Sequence, residues 1–155
     1  MNATRRVLLK SAASAALVAT AVAAGLLKPG RVLADDWNSA AFAAKKPADA
    51  LATIGAGAAV PSQDIVVKAP DIAENGAVVP VEVATTLPNV ESIAILGEKN
   101  VYPLVALYTL SDFGGSLSTR IKMGETASVR VVVRAAGKVY TATREVKVTA
   151  GGCGG

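Results

Sequence analysis

The chain contains one cysteine, Cys153, set in the run Gly151-Gly152-Cys153-Gly154-Gly155. As the thiolate, a cysteine is a nucleophile that can hold a group covalently and release it again. Two glycines on either side leave the backbone almost without conformational preference or side-chain bulk, so the thiol can be threaded into a narrow cleft. Five extended residues reach about 17 Å at roughly 3.3–3.6 Å per residue, enough to enter another protein's active site. The run therefore has the properties of a swinging arm, with Cys153 as the covalent attachment site and Gly151, Gly152, Gly154 and Gly155 as its joints. An inert buried thiol needs none of these flanks. The competing reading is an exported structural or interaction module tethered by an intermolecular disulfide, a common fate of an odd cysteine in an oxidising compartment.

The remaining residues argue against catalysis in this chain. Histidine is absent from all 155 positions, which rules out Ser-His-Asp and Cys-His couples and imidazole metal sites. One thiol with two methionines is a poor ligand set for copper or zinc. Nothing beside Cys153 in sequence activates it, since the nearest cation, Lys147, lies six residues upstream. A polyglycine segment also opposes the fixed positioning that nucleophilic catalysis requires. The expectation is a non-catalytic chain with no catalytic residues, no metal and no cofactor, whose thiol is activated by whichever enzyme receives the arm.

Charge points the same way. The formal net charge is +4, but five of the sixteen basic residues (Arg5, Arg6, Lys10, Lys28 and Arg31) fall in the first thirty-four positions, leaving eleven against twelve acidic residues. Beyond that point no basic cluster is interleaved with aromatics, so no nucleic-acid partner is expected. Residues 1–34 have the three parts of an export signal: a basic start, an apolar run from Val7 to Leu27, and Val32-Leu33-Ala34 before Asp35-Asp36. Thr4-Arg5-Arg6-Val7-Leu8-Leu9-Lys10 resembles a twin-arginine signal, with Arg5 and Arg6 as the pair. The alanine-rich run is weakly apolar and is closed by Lys28-Pro29-Gly30-Arg31, so a stable membrane anchor is not expected. The mature chain should be periplasmic. Because the twin-arginine route carries folded cargo and no cofactor motif is present, a co-exported partner subunit is the natural reason for its use.

Residues 35–60 read as a short N-terminal helical segment, with Asp36 as a possible cap, a break near Pro47 and a stop at Gly55. From 61 to 150 the pattern becomes all-β: Asp64–Ala69, Ala77–Thr86, Val90–Leu96, Leu104–Leu110, Leu117–Met123, Thr126–Ala135 and Lys138–Thr149 are valine-, isoleucine- and threonine-rich runs separated by turn residues. Seven such strands predict an immunoglobulin-like antiparallel β-sandwich. Val129, Val131 and Val133 should face one way and Arg130, Val132 and Arg134 the other, followed by a hairpin at Ala136-Gly137. A phase change near Thr141 suggests a bulge in the last strand. Leu104–Leu110 is apolar on both faces, so both should be covered, by a partner subunit or by a loop or the N-terminal helix. Residues 151–155 then follow as the arm.

The arm, the twin-arginine leader, the alanine-rich helix and the stretch Ala69-Pro70-Asp71-Ile72-Ala73-Glu74-Asn75-Gly76-Ala77-Val78-Val79-Pro80-Val81 together resemble the SoxY family. These are the sulfur-carrier subunits of the periplasmic thiosulfate-oxidising (Sox) multienzyme system. The resemblance implies a non-catalytic carrier of thiosulfate-derived sulfur species on Cys153. It further implies a heterodimer with a second β-sandwich subunit (SoxZ-like) and transient docking to haem-containing and to hydrolytic or oxidising sulfur enzymes. The substrate, sulfur, comes only from this resemblance.

Overall fold

A computed structural model describes residues 38–149. The leader with Arg5 and Arg6, the residues Asp35, Asp36 and Trp37, and the arm residues Gly151, Gly152, Cys153, Gly154 and Gly155 lie outside the described residues.

Two short helices come first, α1 (Ser39–Ala43) and α2 (Pro47–Thr53). Asn38, not the acidic pair before it, caps α1, its side-chain oxygen accepting from the Ala41 N–H at 3.1 Å. Pro47 opens α2, where its missing N–H costs nothing. Gly55 closes α2 at φ +67°, with Gly55 N–H donating to Ala52 O and Ala56 N–H to Leu51 O, the paired bonds of a Schellman motif.

Nine strands follow: β1 (Val60–Pro61), β2 (Ile65–Lys68), β3 (Ile72–Ala73), β4 (Val79–Thr85), β5 (Val90–Gly97), β6 (Leu104–Thr109), β7 (Ser116–Ile121), β8 (Ala127–Ala135) and β9 (Lys138–Val148). One sheet runs β1-β9-β8-β5-β6, with β3 also on β9; the other is β2-β4-β7. The chain is thus an all-β sandwich, as the sequence predicts, and all seven expected runs are strands. The two additions, β1 and β3, are two residues each and both pair parallel to β9, so the sandwich is not wholly antiparallel. Pieces this short carry no alternation to read; they exist because β9 offers them an edge.

The sandwich core is aliphatic. Val79, Val81 and Val83 of β4 face Ile93, Ile95, Val129, Val131, Val133 and Val146 of the larger sheet, all fully buried. Methyl-rich β-branched side chains fill the space between sheets without the volume of aromatics. The other face of the larger sheet is covered by the helices: Ala41, Ala50 and Ala56 pack on Ala94, Leu96, Leu104 and Val132. Small alanines let the helical segment lie close to the strands. Arg134, on the same face, donates to Ile54 O at 3.0 Å and Gly55 O at 3.2 Å, tying the end of α2 to β8.

Two expectations are settled differently. There is no bulge near Thr141: the β8–β9 register runs unbroken from Ala127↔Val146 to Ala135↔Lys138. Val139 turns toward the helices while Tyr140, Ala142, Val146 and Val148 turn toward the core, so apolar residues sit on both faces because both are covered. Thr141 is buried on the helix side and donates its hydroxyl to Val131 O at 2.9 Å. Strand β6 is covered on one face, Leu104 and Leu107 lying under the helical layer, and only partly on the other, where Val105, Ala106 and Tyr108 pack against the core but also line an open cleft. The N-terminal helices do the covering, although β6 is an edge strand.

Candidate functional site

The described part of the site is the platform from which the glycine run departs. β9 spans eleven residues and is flanked on one side by β8 and on the other by β1 and β3. Its last residues are held from several directions. Lys147 N–H donates to Asp71 O at 2.9 Å and Thr149 N–H to Ala73 O at 3.2 Å. Val148 N–H donates to Thr126 Oγ1 at 2.9 Å. Arg144 pairs with the Asp71 carboxylate, which fixes the segment carrying β3 against β9.

Gly76 completes this clamp. A Cβ there would lie 2.4 Å from Met123 O and 2.8 Å from a Val148 methyl, so any larger residue would push the 75–78 turn away from the end of β9. Asn100 joins a further loop to the same region, donating to Lys122 O at 2.7 Å and accepting from Gly124 N–H at 3.1 Å. Alongside lies an open cleft of about 930 Å³ between β6 and β7, bordered by Lys99, Tyr102, Tyr108, Arg120, Lys122 and Glu125. Tyr108 crosses the cleft from the larger sheet to the smaller, its hydroxyl 3.1 Å from Thr119 Oγ1.

The residues that sequence reasoning missed are those of the clamp: Asp71, Ala73, Gly76, Asn100 and Thr126. Four contact β9 directly, and Asp71, Ala73 and Gly76 fall inside the stretch on which the family resemblance rests, but their role depends on contacts across seventy or more residues that spacing does not reveal. Among the described residues no group of His, Cys, Asp and Glu could hold a metal ion. No helix among them is long and apolar enough to cross a membrane.

Comparison with known proteins gives the family. The model for "Sulfur oxidation protein SoxY" matches residues 50–153, from α2 through the sandwich to Cys153. The chain belongs to the SoxY family. Among solved structures, the sulfur carrier protein SoxY from Chlorobium limicola f. thiosulfatophilum is 43% identical, with a TM-score of 0.61, covering 73% of this chain and 100% of that one. A superoxide reductase (neelaredoxin) from Ignicoccus hospitalis is 13% identical with a TM-score of 0.49, covering 56% of this chain and 81% of that one, too distant to carry any argument. No curated protein matches. A sulfur-carrier role follows from SoxY membership, and SoxY proteins are carriers, not catalysts.

Proposed function

We propose that this chain carries the sulfur intermediates of thiosulfate oxidation covalently on the Cys153 thiol and presents them to partner enzymes. The observation that carries the reading is that the SoxY family match extends through residue 153 itself, so the attachment cysteine falls within the shared span. The clamp at the end of β9 supports it, because it holds the chain up to Thr149, the last described residue before the glycine run in sequence.

The chemistry balances as follows. The Cys153 thiolate and the outer sulfur of thiosulfate join in an S–S bond, giving Cys–S–S–SO₃⁻, with two electrons passing to a haem-containing partner enzyme. A hydrolytic partner then adds water to the sulfonate sulfur, releasing sulfate and two protons and leaving the persulfide Cys–S–S⁻. A redox partner enzyme then accepts six electrons from that sulfane sulfur while three waters supply its oxygens and six protons leave, giving Cys–S–SO₃⁻. A second hydrolysis releases sulfate and two protons and frees the thiolate. The redox and hydrolytic chemistry of each step is supplied by those partners, so this chain's contribution is attachment and delivery. In this reading the chain works in the periplasm after export through the Arg5-Arg6 signal, as a heterodimer with a SoxZ-like β-sandwich subunit.

Intact-protein mass spectrometry of the periplasmic form from cells grown on thiosulfate tests the reading. Reductant-labile adducts with the masses of added sulfur, sulfonate or thiosulfate, mapped to the peptide containing Cys153 and absent from Cys153→Ser, are expected. A bare thiol, or only a protein–protein disulfide, would favour the tethered module instead.

A further inference from the structure

Six large apolar residues are exposed among the described residues: Val60, Val66, Ile72, Val78, Val101 and Tyr102. They are unevenly distributed. Ile72 is in β3, paired with Lys147 at the end of β9. Val78 closes the turn whose Gly76 abuts Val148. Val101 and Tyr102 follow Asn100, which is bonded to Lys122 and Gly124, just before the Thr126 that holds Val148. Val60 and Val66 pair instead with Tyr140 and Ala84, toward the opposite ends of β9 and β4. Four of the six thus lie on segments tied to the end of β9, Ile72 and Val78 directly and Val101 and Tyr102 through Asn100 and the 122–126 segment, at 57%, 50%, 72% and 52% exposure for Ile72, Val78, Val101 and Tyr102.

Lys99 and Lys122 line the cleft beside Val101 and Tyr102, where Arg120 and Glu125 also stand, and neither lysine is in an ion pair among the described residues. The tether sets the geometry. From Thr149 to Cys153 is four residues, about 14 Å when fully extended. For Cys153 to reach a reacting centre recessed below an enzyme's surface, the end of the sandwich bearing Thr149 must come up against the mouth of that enzyme's cleft. Whatever surrounds Thr149 is then pressed onto the enzyme, and apolar side chains grouped in the open are the surface that gains from being covered.

We infer that Ile72, Val78, Val101 and Tyr102, flanked by Lys99 and Lys122, form a docking collar for the active-site mouths of the partner enzymes. The surface it fits is an apolar rim carrying carboxylates. The inference rests on the carrier reading above and adds the face by which delivery occurs. One collar serves successive enzymes because the same short tether constrains each of them.

The test uses the full chain with its partner subunit and, as probe, the haem-containing sulfur enzyme of the Sox system, following loading of Cys153 with thiosulfate. Val101→Ser combined with Tyr102→Ser should raise the KM for the carrier by about tenfold or more, the loss typical of a docking anchor, with kcat within about twofold. The rate at which iodoacetamide alkylates Cys153 should not change, and Val60→Ser with Val66→Ser should leave KM where it was. Lys99→Glu with Lys122→Glu, which touches no apolar contact, should also raise KM and weaken its dependence on salt. Normal KM in both collar variants overturns the inference, as does loss of the partner subunit on gel filtration, which would make the collar the subunit interface. A wild-type chain that never acquires sulfur removes the carrier reading and the collar with it, whereas loading with unchanged KM removes the collar alone.

Discussion

At the residue scale, glycines with two different duties are separable by substitution. In the carrier reading Gly152 and Gly154 are joints of the arm, and a β-branched side chain there would restrict backbone rotation. Gly152→Val with Gly154→Val should therefore slow sulfur transfer by about tenfold or more, in line with the sensitivity of positioned reactions to small displacements, while the melting temperature is unchanged. Gly76 belongs to the clamp. Gly76→Ala should destabilise the domain by about 1–3 kcal/mol, the usual cost of overpacking, seen as a lower denaturant midpoint at constant slope. Protection of the Val148 and Thr149 amides from hydrogen exchange should fall with it, since both are held by residues adjoining that turn.

At the scale of elements, the helical layer and the β8–β9 hairpin can each be tuned. Arg134→Ala removes two charge-assisted bonds to Ile54 O and Gly55 O and should cost about 1–2 kcal/mol, with faster amide exchange confined to α1 and α2. The β8–β9 turn has Ala136 at φ +48° and Gly137 at φ +72°, a two-residue turn that asks for positive φ at both positions. Alanine pays for that conformation where asparagine does not, so Ala136→Asn should raise stability by about 0.5–1 kcal/mol, measurable by denaturant unfolding. The hairpin is braced further by Glu91, whose carboxylate accepts from Gly137 N–H at 2.9 Å.

At the scale of the whole molecule, the sandwich has one working end. Both parallel additions to β9, the 75–78 turn and the Thr126 contact hold β9, all but β1 near its last residues, while Asn100 ties its own loop to Lys122 and Gly124. In the proposed reading export is carried by other residues than delivery, so Arg5→Lys with Arg6→Lys should leave the folded chain in the cytoplasm, detected by fractionation, with its melting temperature unchanged. The partner subunit should be retained there with it.

Much of this was legible in the sequence. Glycine, proline and asparagine fell between the β-branched runs, so the seven longer strands and the sandwich followed from turn chemistry and propensity. The candidate attachment residue was legible too, because a lone cysteine between glycine pairs has few structural uses. What the sequence could not supply was anything that depends on which surfaces meet. Periodicity records whether a face is buried, not by what, so the two apolar faces of β6 and the mixed faces of β9 became intelligible only once the alanine-lined helices were seen lying on the sheet. The two-residue strands and the Gly76 clamp were invisible for the same reason: their stabilising contacts join residues far apart in the chain, and tertiary packing alone brings them together.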